Sequence, residues 1–254
     1  MFDLTTKKGQ IAAVTKCSEI IELIDKPCLK AQLIAVKDCG ATIRHIKDPC
    51  LIVQLAAMRQ NGDSIQYIKK PCLEVQLAAV KEYGWPIKHI KNPCLEVQLV
   101  AVRRDGRVIR DIHNPCLEVQ LAAVQEFGYA IEYIKKPCLE VQLAAVKRNG
   151  MAVMYIDNPC RKVKLAAVRE CEEAIKYIDD PCLEVQLARL ISAHPVFLNQ
   201  DGLIKVGDLD FKPLQFWLSN EIYKVTELEY HLDLLPDFQK YLKKKHEKRM
   251  AKRR

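Results

Sequence analysis

No stretch of the 254-residue sequence approaches the ~18 consecutive apolar residues of a membrane span, and its longest apolar blocks resemble Leu-Ala-Ala-Val. The start of the chain has no apolar signal-peptide core either, so we expect a cytoplasmic protein without a membrane partner. Glycine is scarce, with nine residues, and aromatic residues make up only 7% of the chain. Leucine, alanine, valine, isoleucine, lysine and glutamate dominate instead, which favours helices.

The short motifs of catalytic and metal sites are missing as well. No Cys-x-x-Cys or Cys-x-x-His pair occurs among the 11 cysteines, and the sequence has neither a phosphate-binding loop nor a nucleophile elbow. A polar set in the C-terminal part matches no motif with a recognised mechanism; it consists of His194, Asp201, Asp208, Asp210 and His231. We therefore expect no enzymatic activity, no cofactor and no bound metal.

The formal net charge of +8 is concentrated at the C-terminus. Residues 239–254 hold nine lysines and arginines against one glutamate, so the rest of the chain is electrically balanced. Within that remainder, residues 1–194 have a small positive excess and residues 195–238 an equal acidic one. The sequence therefore indicates a basic tail rather than a strongly basic nucleic-acid-binding body.

What the sequence does contain is a repeat with a period of 22 residues. The dipeptide Pro-Cys recurs at 27–28, 49–50, 71–72, 93–94, 115–116, 137–138, 159–160 and 181–182. We number the full copies 1 to 7, from Pro27 to Pro159, and count positions 1 to 22 from each proline. An imperfect leading copy occupies residues 5–26, and a truncated copy begins at Pro181. Self-similarity at such a period is the signature of a repeat architecture.

Each copy predicts a long helix, a turn and a shorter helix. Asp or Asn before the proline predicts an N-cap followed by proline at the first helical position, in Asp48, Asn92, Asn114, Asn158 and Asp180. Glycine at position 14 predicts the end of the first helix with a positive φ angle. Two isoleucines three residues apart, such as Ile87 and Ile90, predict one buried face on the second helix.

A single copy cannot bury its own apolar face, so consecutive copies must stack. A helical wheel groups positions 3, 7, 10 and 14, with positions 2, 5, 6, 9 and 13 beside them. Leu73, Val75, Leu77 and Val80 are accordingly expected in the core, and Leu121→Ala is expected to cost about 2–5 kcal/mol of stability. The sequence therefore predicts an all-α fold, a right-handed α-solenoid of two-helix repeats over residues 1–194.

The repeat unit is clearest in PCLEVQLAAVKEYGWPIKHIKN, from Pro71 to Asn92, and it resembles the short two-helix repeats of HEAT-like and leucine-rich-variant solenoids. It is most similar to repeats of the form NPSxEVQLAAVKxNGxAIxYI in uncharacterised phage, viral and bacterial proteins, with cysteine here where that pattern often has serine. The resemblance covers about residues 5–190. It implies an α-solenoid and no particular activity; the role of a phage or viral adaptor or inhibitor of a host protein is an expectation from the resemblance alone.

After Ala193 the repeat stops. Residues 195–211, with two glycines around a short apolar run, predict a small β-hairpin or an irregular loop. Residues 213–232 predict a helix with aromatic residues that close the end of the solenoid, so we expect residues 195–238 to form a cap. Residues 239–254 are expected to be a basic tail, which in a eukaryotic host would serve as a nuclear localisation signal.

Two polar columns recur, and both have a structural and a functional interpretation. Position 6 is glutamine in most copies and Lys164 in copy 7, and it forms either a binding ladder or an internal ladder whose amides satisfy backbone groups. Position 2 is cysteine in every copy from Pro27 onward. Equivalent atoms of stacked helices lie roughly 8–10 Å apart, whereas a disulfide needs Cα atoms within about 7 Å. We expect buried, free thiols in a reducing compartment.

Positions 15 and 18 vary, although they share one face of the second helix. Large residues there are typical of protein interfaces, and the alternative is drift on a tolerant surface. The sequence thus predicts a non-catalytic scaffold that contacts a protein partner through these columns in copies 3 to 6. The predicted contact residues are Trp85, Lys88, Arg107, Arg110, Tyr129, Glu132, Met151 and Met154.

Nucleic-acid binding is the alternative function. It rests on a basic column at position 11, on a row of Tyr and His at position 19 that would stack bases, and on the tail. Glutamate at position 4 shares the face of position 11, so a solvated mixed-charge face is the competing interpretation. The candidate residues are Lys37, Arg59, Lys81, Arg103, Lys147, Arg169, Lys243, Lys244, Lys245, Arg249, Arg253 and Arg254.

Copy 7 departs from the pattern. Arg161, Lys162 and Lys164 replace the usual Leu, Glu and Gln, and Glu172 replaces the glycine of position 14. Arg161 occupies position 3, which the helical wheel places in the core, and an unpaired charge is unfavourable in an apolar core. We therefore expect a relaxed junction in this copy, with a local basic site as the alternative.

Overall fold

The computed structural model describes residues 2–179, 181, 182, 185 and 188, and two short strands further along the chain. The predicted cap helix, the polar set between His194 and His231 and the basic tail from Lys243 to Arg254 lie outside the described residues. The chain divides into two compact units, Met1–Lys135 and Lys136–Arg254. In the described part, no helix is long and apolar enough to cross a membrane.

An α-helix followed by a 3₁₀ helix recurs in every described copy. The α-helices, α1 to α8, are Lys7–Lys16, Leu29–Asp38, Leu51–Gln60, Leu73–Val80, Leu95–Arg104, Leu117–Glu126, Leu139–Arg148 and Arg161–Glu170. The 3₁₀ helices, η1 to η8, are Ser18–Leu23, Gly40–His45, Gly62–Tyr67, Trp85–His89, Gly106–Asp111, Gly128–Tyr133, Gly150–Tyr155 and Glu172–Tyr177. The predicted second helix is therefore confirmed, in the tighter 3₁₀ form.

Two short strands follow the helices. Strand β1 (Val196–Leu198) pairs antiparallel with strand β2 (Ile204–Val206), in a register that places Phe197 opposite Lys205. Both strands lie in the segment 195–211, for which the sequence predicts either a hairpin or a loop. The pairing agrees with the hairpin.

Stacking of the helix pairs confirms the all-α solenoid. In the first unit, each α-helix packs against the next from α1 to α6, and each 3₁₀ helix packs against the next from η1 to η6. In the second unit, α7 packs against α8 and η7 against η8. Within each unit the α-helices therefore form one layer and the 3₁₀ helices another.

The core of each copy comes from positions 5, 9 and 10 of the α-helix and from positions 17 and 20 of the second helix. In copy 5, Val119, Ala123 and Val124 are fully buried, and Ile131 and Ile134 are nearly so. Position 7, which includes Leu77 and Leu121, is only half-buried.

Position 3 lies outside this core, which corrects the predicted burial of Leu73. Its leucines are 44–50% exposed in copies 1 to 6. The α-helix begins at position 3, and helical side chains point back toward the N-terminus. The leucine side chain therefore extends past the end of the helix rather than between neighbouring helices.

The α-helices also begin later than the sequence predicts. The cysteine at position 2 occupies the N-cap, as Cys50 does for α3, and its side chain makes no capping hydrogen bond. The residue before the proline instead has a left-handed backbone, with φ of 49–51° in Asp48, Asn92, Asn114, Lys136 and Asn158. Because Asn and Asp tolerate positive φ better than most residues, they serve this turn and not an N-cap.

Of the two interpretations of the glutamine column, the structure supports the internal ladder, in which the side-chain amides bind backbone groups. In copies 1 to 6, Nε2 of the position 6 glutamine donates to the carbonyl oxygen of the proline five residues earlier, at 2.7–2.9 Å. In the leading copy, Oε1 of Gln10 accepts from the backbone N of Cys28 at 2.8 Å. Lys164 of copy 7 also donates to a backbone carbonyl, but to a different one: its Nζ lies 2.9 Å from the carbonyl oxygen of Asp179, fifteen residues later. The column thus satisfies backbone groups at the turns.

Glycine at position 14 serves close packing rather than a positive φ angle. Among the described glycines, only Gly84 has a positive φ, of 76°. A Cβ on Gly40 would lie 2.8 Å from the carbonyl oxygen of Ala57 in the next α-helix, and one on Gly84 would lie 2.6 Å from that of Ala101. A side chain on these glycines would collide with the backbone of the next α-helix, whereas the leading copy accommodates Ser18 at the same position.

Copy 7 retains the core of the other copies. Val163, Ala167 and Val168 are fully buried, and α8 has the same ten-residue length as most of the other α-helices. Arg161 and Lys162 are exposed, as positions 3 and 4 are in the preceding copies. The expected relaxed junction is therefore wrong for α8, and its charges lie on an intact surface.

All eleven cysteines are free thiols, but their expected burial is wrong. Eight are exposed, and Cys28, Cys39 and Cys171 are half-buried. The column at position 2 is accessible because it lies at the N-cap, outside the contact between stacked helices.

Substitutions at two positions test the corrected core. Ile109, at 1% exposure, is enclosed by the stack, so Ile109→Ala should cost about 2–5 kcal/mol of unfolding free energy. Leu117→Ala should cost less than about 1 kcal/mol, because Leu117 is 45% exposed, and the half-buried Leu121 should lie between the two. Urea denaturation of the three variants measures this order, and a cost for Leu117→Ala equal to that for Ile109→Ala would contradict it.

Thiol reactivity tests the position of the cysteine column. In the native protein, we expect rapid reaction of the eight exposed thiols with an aromatic disulfide reagent and slower reaction of Cys28, Cys39 and Cys171. Denaturation should bring all eleven to the same rate. Mass spectrometry of the partly labelled protein identifies the labelled cysteines. If most thiols of the native protein resisted labelling, the cysteine column would be buried after all.

Candidate functional site

The 3₁₀ helices carry an exposed ridge, which we define as positions 15, 18 and 19. Position 18 is exposed in every described copy, and position 15 is exposed or half-buried. Residues three apart in a 3₁₀ helix lie above one another, so positions 15 and 18 share one side of the helix. Positions 17 and 20 are the ones that contribute to the core. The ridge is thus a surface distinct from the exposed face of the α-helices.

Neighbouring repeats interlock along this ridge with a fixed offset of 25 residues, from position 15 of one copy to position 18 of the next. Oε2 of Glu19 lies 3.5 Å from a guanidinium nitrogen of Arg44, and Oδ1 of Asp63 lies 3.7 Å from Nζ of Lys88. Part of the variation in these columns is therefore explained by pairing between repeats.

Position 19 of the next copy joins the same contacts. Nε2 of His45 lies 3.7 Å from Glu19 and its Nδ1 lies 3.9 Å from Glu22, while Nε2 of His89 lies 3.4 Å from Oδ1 of Asp63. These are charge contacts when the histidines are protonated. Both histidines thus face carboxylates of the preceding repeat, an arrangement unlike a row of free rings that would stack bases.

Copies 3 to 5 hold an aromatic and charged group that we call the Trp85 cluster. Its members are Trp85, Asp105, Arg107, Arg110, Phe127 and Tyr129. The indole Nε1 of Trp85 donates to Oδ2 of Asp105 at 3.1 Å. The Cζ atom of Arg110 lies 4.6 Å from the centre of the indole ring, and that of Arg107 lies 5.6 Å from it. Trp85 is therefore half-buried and held by three side chains of the next repeat.

Arg107 links the two halves of the cluster. Its guanidinium donates to Oδ2 of Asp105 at 2.7 Å and also lies 6.0 Å from the ring centre of Phe127. Phe127 in turn meets Tyr129 edge-to-face, with ring centres 5.6 Å apart. Cations over aromatic faces and edge-to-face rings are attractive geometries, so the cluster is fixed in place by its own contacts.

The carboxylate of Asp105 is the negatively charged partner of Arg107 in the cluster. The hydrogen bond from the Arg107 side chain lowers the pKa of Asp105, against partial burial, and smaller contributions come from the Arg107 backbone, the Arg107 charge and the Trp85 indole. The same pair raises the pKa of Arg107. Asp105 therefore stays ionised well into acid solution and keeps both Arg107 and Trp85 in place.

The turn that carries Trp85 differs from the others because Pro86 follows it. In other copies the backbone N of position 16 donates to the carbonyl of position 13, as Ser64 does to Asn61 at 3.0 Å. Proline has no N–H for this bond. In copy 3 the turn instead closes with Gly84 N donating to Val80 O at 3.0 Å, and Gly84 adopts its positive φ. The 3₁₀ helix η4 consequently begins at Trp85 itself.

The remaining predicted contact residues lie around or beyond this cluster. Lys88 is paired with Asp63, and Glu132 is exposed in η6. Met151 and Met154 belong to the second unit, where Met154 is 43% exposed and Met151 is half-buried. The structure thus brings Trp85, Arg107, Arg110 and Tyr129 together and leaves the others as separate ridge positions.

The basic column of position 11 lies on the exposed face of the α-helices. Its six described residues are all exposed, in α2, α3, α5, α7 and α8 and just after α4. Arg103 lines an open groove between α5 and α6, together with Glu118, Leu121, Ala122, Gln125 and Glu126. Basic and acidic side chains therefore share this groove, as a mixed-charge face requires.

Sequence reasoning missed the two members of the cluster at position 13, Asp105 and Phe127. That column contains Cys17, Cys39, Asn61, Tyr83, Asp105, Phe127, Asn149 and Cys171, and its variability was the available signal. An offset of 20 residues joins position 15 to position 13 of the next copy, as in the bond between Trp85 and Asp105. The stacking register that sets this offset is visible only in the structure.

The pH dependence of stability tests the role of Asp105. Its lowered pKa means that the carboxylate stabilises the folded protein above its ordinary pKa of 3.8, and this contribution is lost as pH falls through the lowered value. Asp105→Asn should therefore be modestly less stable than the parent at neutral pH, with a difference that shrinks in acid. Melting curves over a pH series measure this difference in stability. In an Arg107→Met background, Asp105→Asn should show a weaker pH dependence. A stability difference that does not change with pH would exclude the pairing of Asp105 with Arg107.

Comparison with protein-family models, with curated proteins and with solved structures finds no match. The chain is a helical repeat protein with a period of 22 residues, and this follows from its own stacked helix pairs. Its similarity to HEAT-like and phage or viral repeats remains a resemblance of the repeat motif.

Proposed function

We propose that the protein is a non-catalytic protein-binding scaffold and that the Trp85 cluster is the centre of its contact surface. The supporting observation is the combination of a fixed indole with two half-exposed guanidinium groups: the side chains of Arg107 and Arg110 are 54% and 50% exposed. Trp, Tyr and Arg are the residue types most often found as binding hot spots. The cluster presents all three on one ridge.

The cluster is also rigid before any partner arrives. Arg107 is tied to Asp105 by several hydrogen bonds, of 2.7–3.2 Å, and Arg110 lies on the indole of Trp85. Binding loses affinity when long side chains must be immobilised, at about 0.5–1.5 kcal/mol each. Side chains already ordered by the neighbouring repeat avoid much of this cost.

Because Trp85 is packed against the next repeat, its substitution does not separate an effect on binding from an effect on stability. An exposed tryptophan could be removed without loss of stability, which is the expectation from the sequence. The indole is instead half-buried and hydrogen-bonded to Asp105, so Trp85→Ala should lower the melting temperature as well as binding. Arg110 is the better probe, because half of its side chain is exposed and its guanidinium lies on the surface of the ring.

Arg110→Ala should weaken partner binding by on the order of 2 kcal/mol and leave the melting temperature nearly unchanged. The partner is first isolated from native cells with the full-length protein as bait, and its affinity for each variant is then measured by calorimetry. Arg103→Ala is the matched control, since it removes an exposed arginine from the α-helical face.

Equal loss of affinity in the Arg110 and Arg103 variants would point to a general charge effect and contradict a ridge-centred site. Loss in the Arg103 variant alone would move the contact surface to the α-helical face. Retention of full affinity by Arg110→Ala and Arg107→Ala together would exclude the Trp85 cluster.

A further inference from the structure

We infer that the exposed face of α7 and α8 is a nucleic-acid-binding surface that contacts the phosphate backbone through Lys147, Lys162 and Arg169. This surface lies in the second unit and uses positions 4 and 11 of the α-helices, whereas the proposed protein contact uses the 3₁₀ ridge. The inference is therefore independent of the proposed protein contact, and a test of one does not decide the other.

The groove between α5 and α6 shows which positions face one another across neighbouring α-helices. Arg103 at position 11 of copy 4 lines it together with positions 4, 7, 8, 11 and 12 of copy 5, which are Glu118, Leu121, Ala122, Gln125 and Glu126. One cation there faces two carboxylates. Mixed charges of this kind have little attraction for a polyanion.

The equivalent positions of α7 and α8 have the opposite balance. They are Lys147, Lys162, Leu165, Ala166, Arg169 and Glu170, so three cations replace the single one and one carboxylate remains. The packing of the two helix pairs is the same, because Val141, Ala145 and Val146 are as fully buried in α7 as Val163, Ala167 and Val168 are in α8. The change therefore affects surface charge alone.

Charge along α8 is unusually one-sided. The helix has four cations, Arg161, Lys162, Lys164 and Arg169, against the single acid Glu170. Lys162 and Arg169 are seven residues apart, which places them on one face about 10 Å apart along the axis. In the described part of the chain, neither they nor Lys147 forms an ion pair with a carboxylate. Their charge is thus available to an outside anion.

The fold does not need these cations. Copies 3 to 6 have Leu-Glu-Val-Gln where copy 7 has Arg161-Lys-Val-Lys164, and all of them form the same α-helix with the same buried valine. Lys164 stands where the other copies have glutamine and donates to a different backbone carbonyl, that of Asp179. Arg161 and Lys162 are exposed, as positions 3 and 4 are in the other copies.

The chemistry of the surface fits phosphates better than a protein. Lysine is depleted in the cores of protein interfaces, where aromatic residues are enriched, and this face has two lysines over a floor of Leu165 and Ala166. Phosphate contacts need only Lys and Arg and no apolar anchor. The nine lysines and arginines of residues 239–254 would add to the same attraction for a polyanion.

The inference is tested by giving copy 7 the residues that copies 3 to 6 have at the same positions. The full-length variant combines Arg161→Leu, Lys162→Glu and Lys164→Gln, which recreates the Leu-Glu-Val-Gln of copies 3 to 6. Lys69→Glu combined with Lys70→Glu is the matched control, because it changes the net charge equally at two exposed residues of the first unit. Fluorescence anisotropy with a labelled oligothymidylate of about 20 nucleotides, at about 50 and 200 mM salt, gives the affinity and its salt dependence.

We expect the parent protein and the control to bind with similar salt slopes, and the consensus variant to bind at least tenfold more weakly at the lower salt. The logarithmic salt slope of the consensus variant should be smaller by about 0.7, since the variant removes one of the three proposed contacts, Lys162, and each cation that neutralises a phosphate of a single strand accounts for roughly 0.7 of that slope. Equal binding by the consensus variant and the parent would overturn the inference and assign any binding to other cations. If the control variant bound as weakly as the consensus variant, the loss would reflect the net charge of the protein and the inference would be wrong. If polyglutamate competed as effectively as unlabelled oligonucleotide, the surface would instead be assigned to acidic proteins.

Discussion

A close approach limits the distance between neighbouring repeats: the position 14 glycine lies against the carbonyl of the alanine at position 9 in the next α-helix. It is seen at Gly40, Gly62, Gly84, Gly106 and Gly150. A single methyl group on Gly40 or Gly84 would come within 2.6–2.8 Å of that oxygen, so the helices lie as close as backbone permits. Alanine on the other side of the contact keeps the approach short. Valine at positions 5 and 10 then fills the space on either side, and the stack is closed without a large residue in the α-helical core.

This close spacing makes the ridge an interlocked surface instead of a set of separate loops. Position 15 of one repeat lies beside positions 18 and 19 of the next, so a residue that varies there meets a matching side chain of its neighbour: Glu19 lies beside Arg44, Asp63 beside Lys88 and Trp85 beside Arg110. Surface pairs of this kind contribute little stability individually. Their effect is to hold long side chains in defined positions, which is the property that a contact surface needs.

The two layers of the repeat therefore offer two surfaces with different chemistry. The 3₁₀ layer presents aromatic residues and paired charges, centred on Trp85, Arg107 and Arg110. The α-helical layer presents lysine, arginine and glutamate over small apolar residues, and its charge balance changes from one pair of helices to the next. Both layers tolerate surface substitution without a change in the core, so their chemistry can vary independently.

The 22-residue period, the two-helix unit and the stacking into a solenoid follow from the sequence, since each depends on local propensity and on the recurrence of residue types. For the glutamine column the sequence left two interpretations open, and the hydrogen bonds to the proline carbonyls decide for the internal one. The helical wheel was wrong for the cysteine column because it assumes a helix that begins at position 1, whereas the α-helix begins at position 3 and position 2 is its N-cap. It was wrong for Leu73 because the first residue of a helix directs its side chain past the helix end. Positions 15 and 18 were identified as one exposed face from their spacing alone. The contacts of these columns with Asp105 and Phe127 depend on which residue of one repeat meets which residue of the next. That register is a property of the packed stack, and only the tertiary structure decides it.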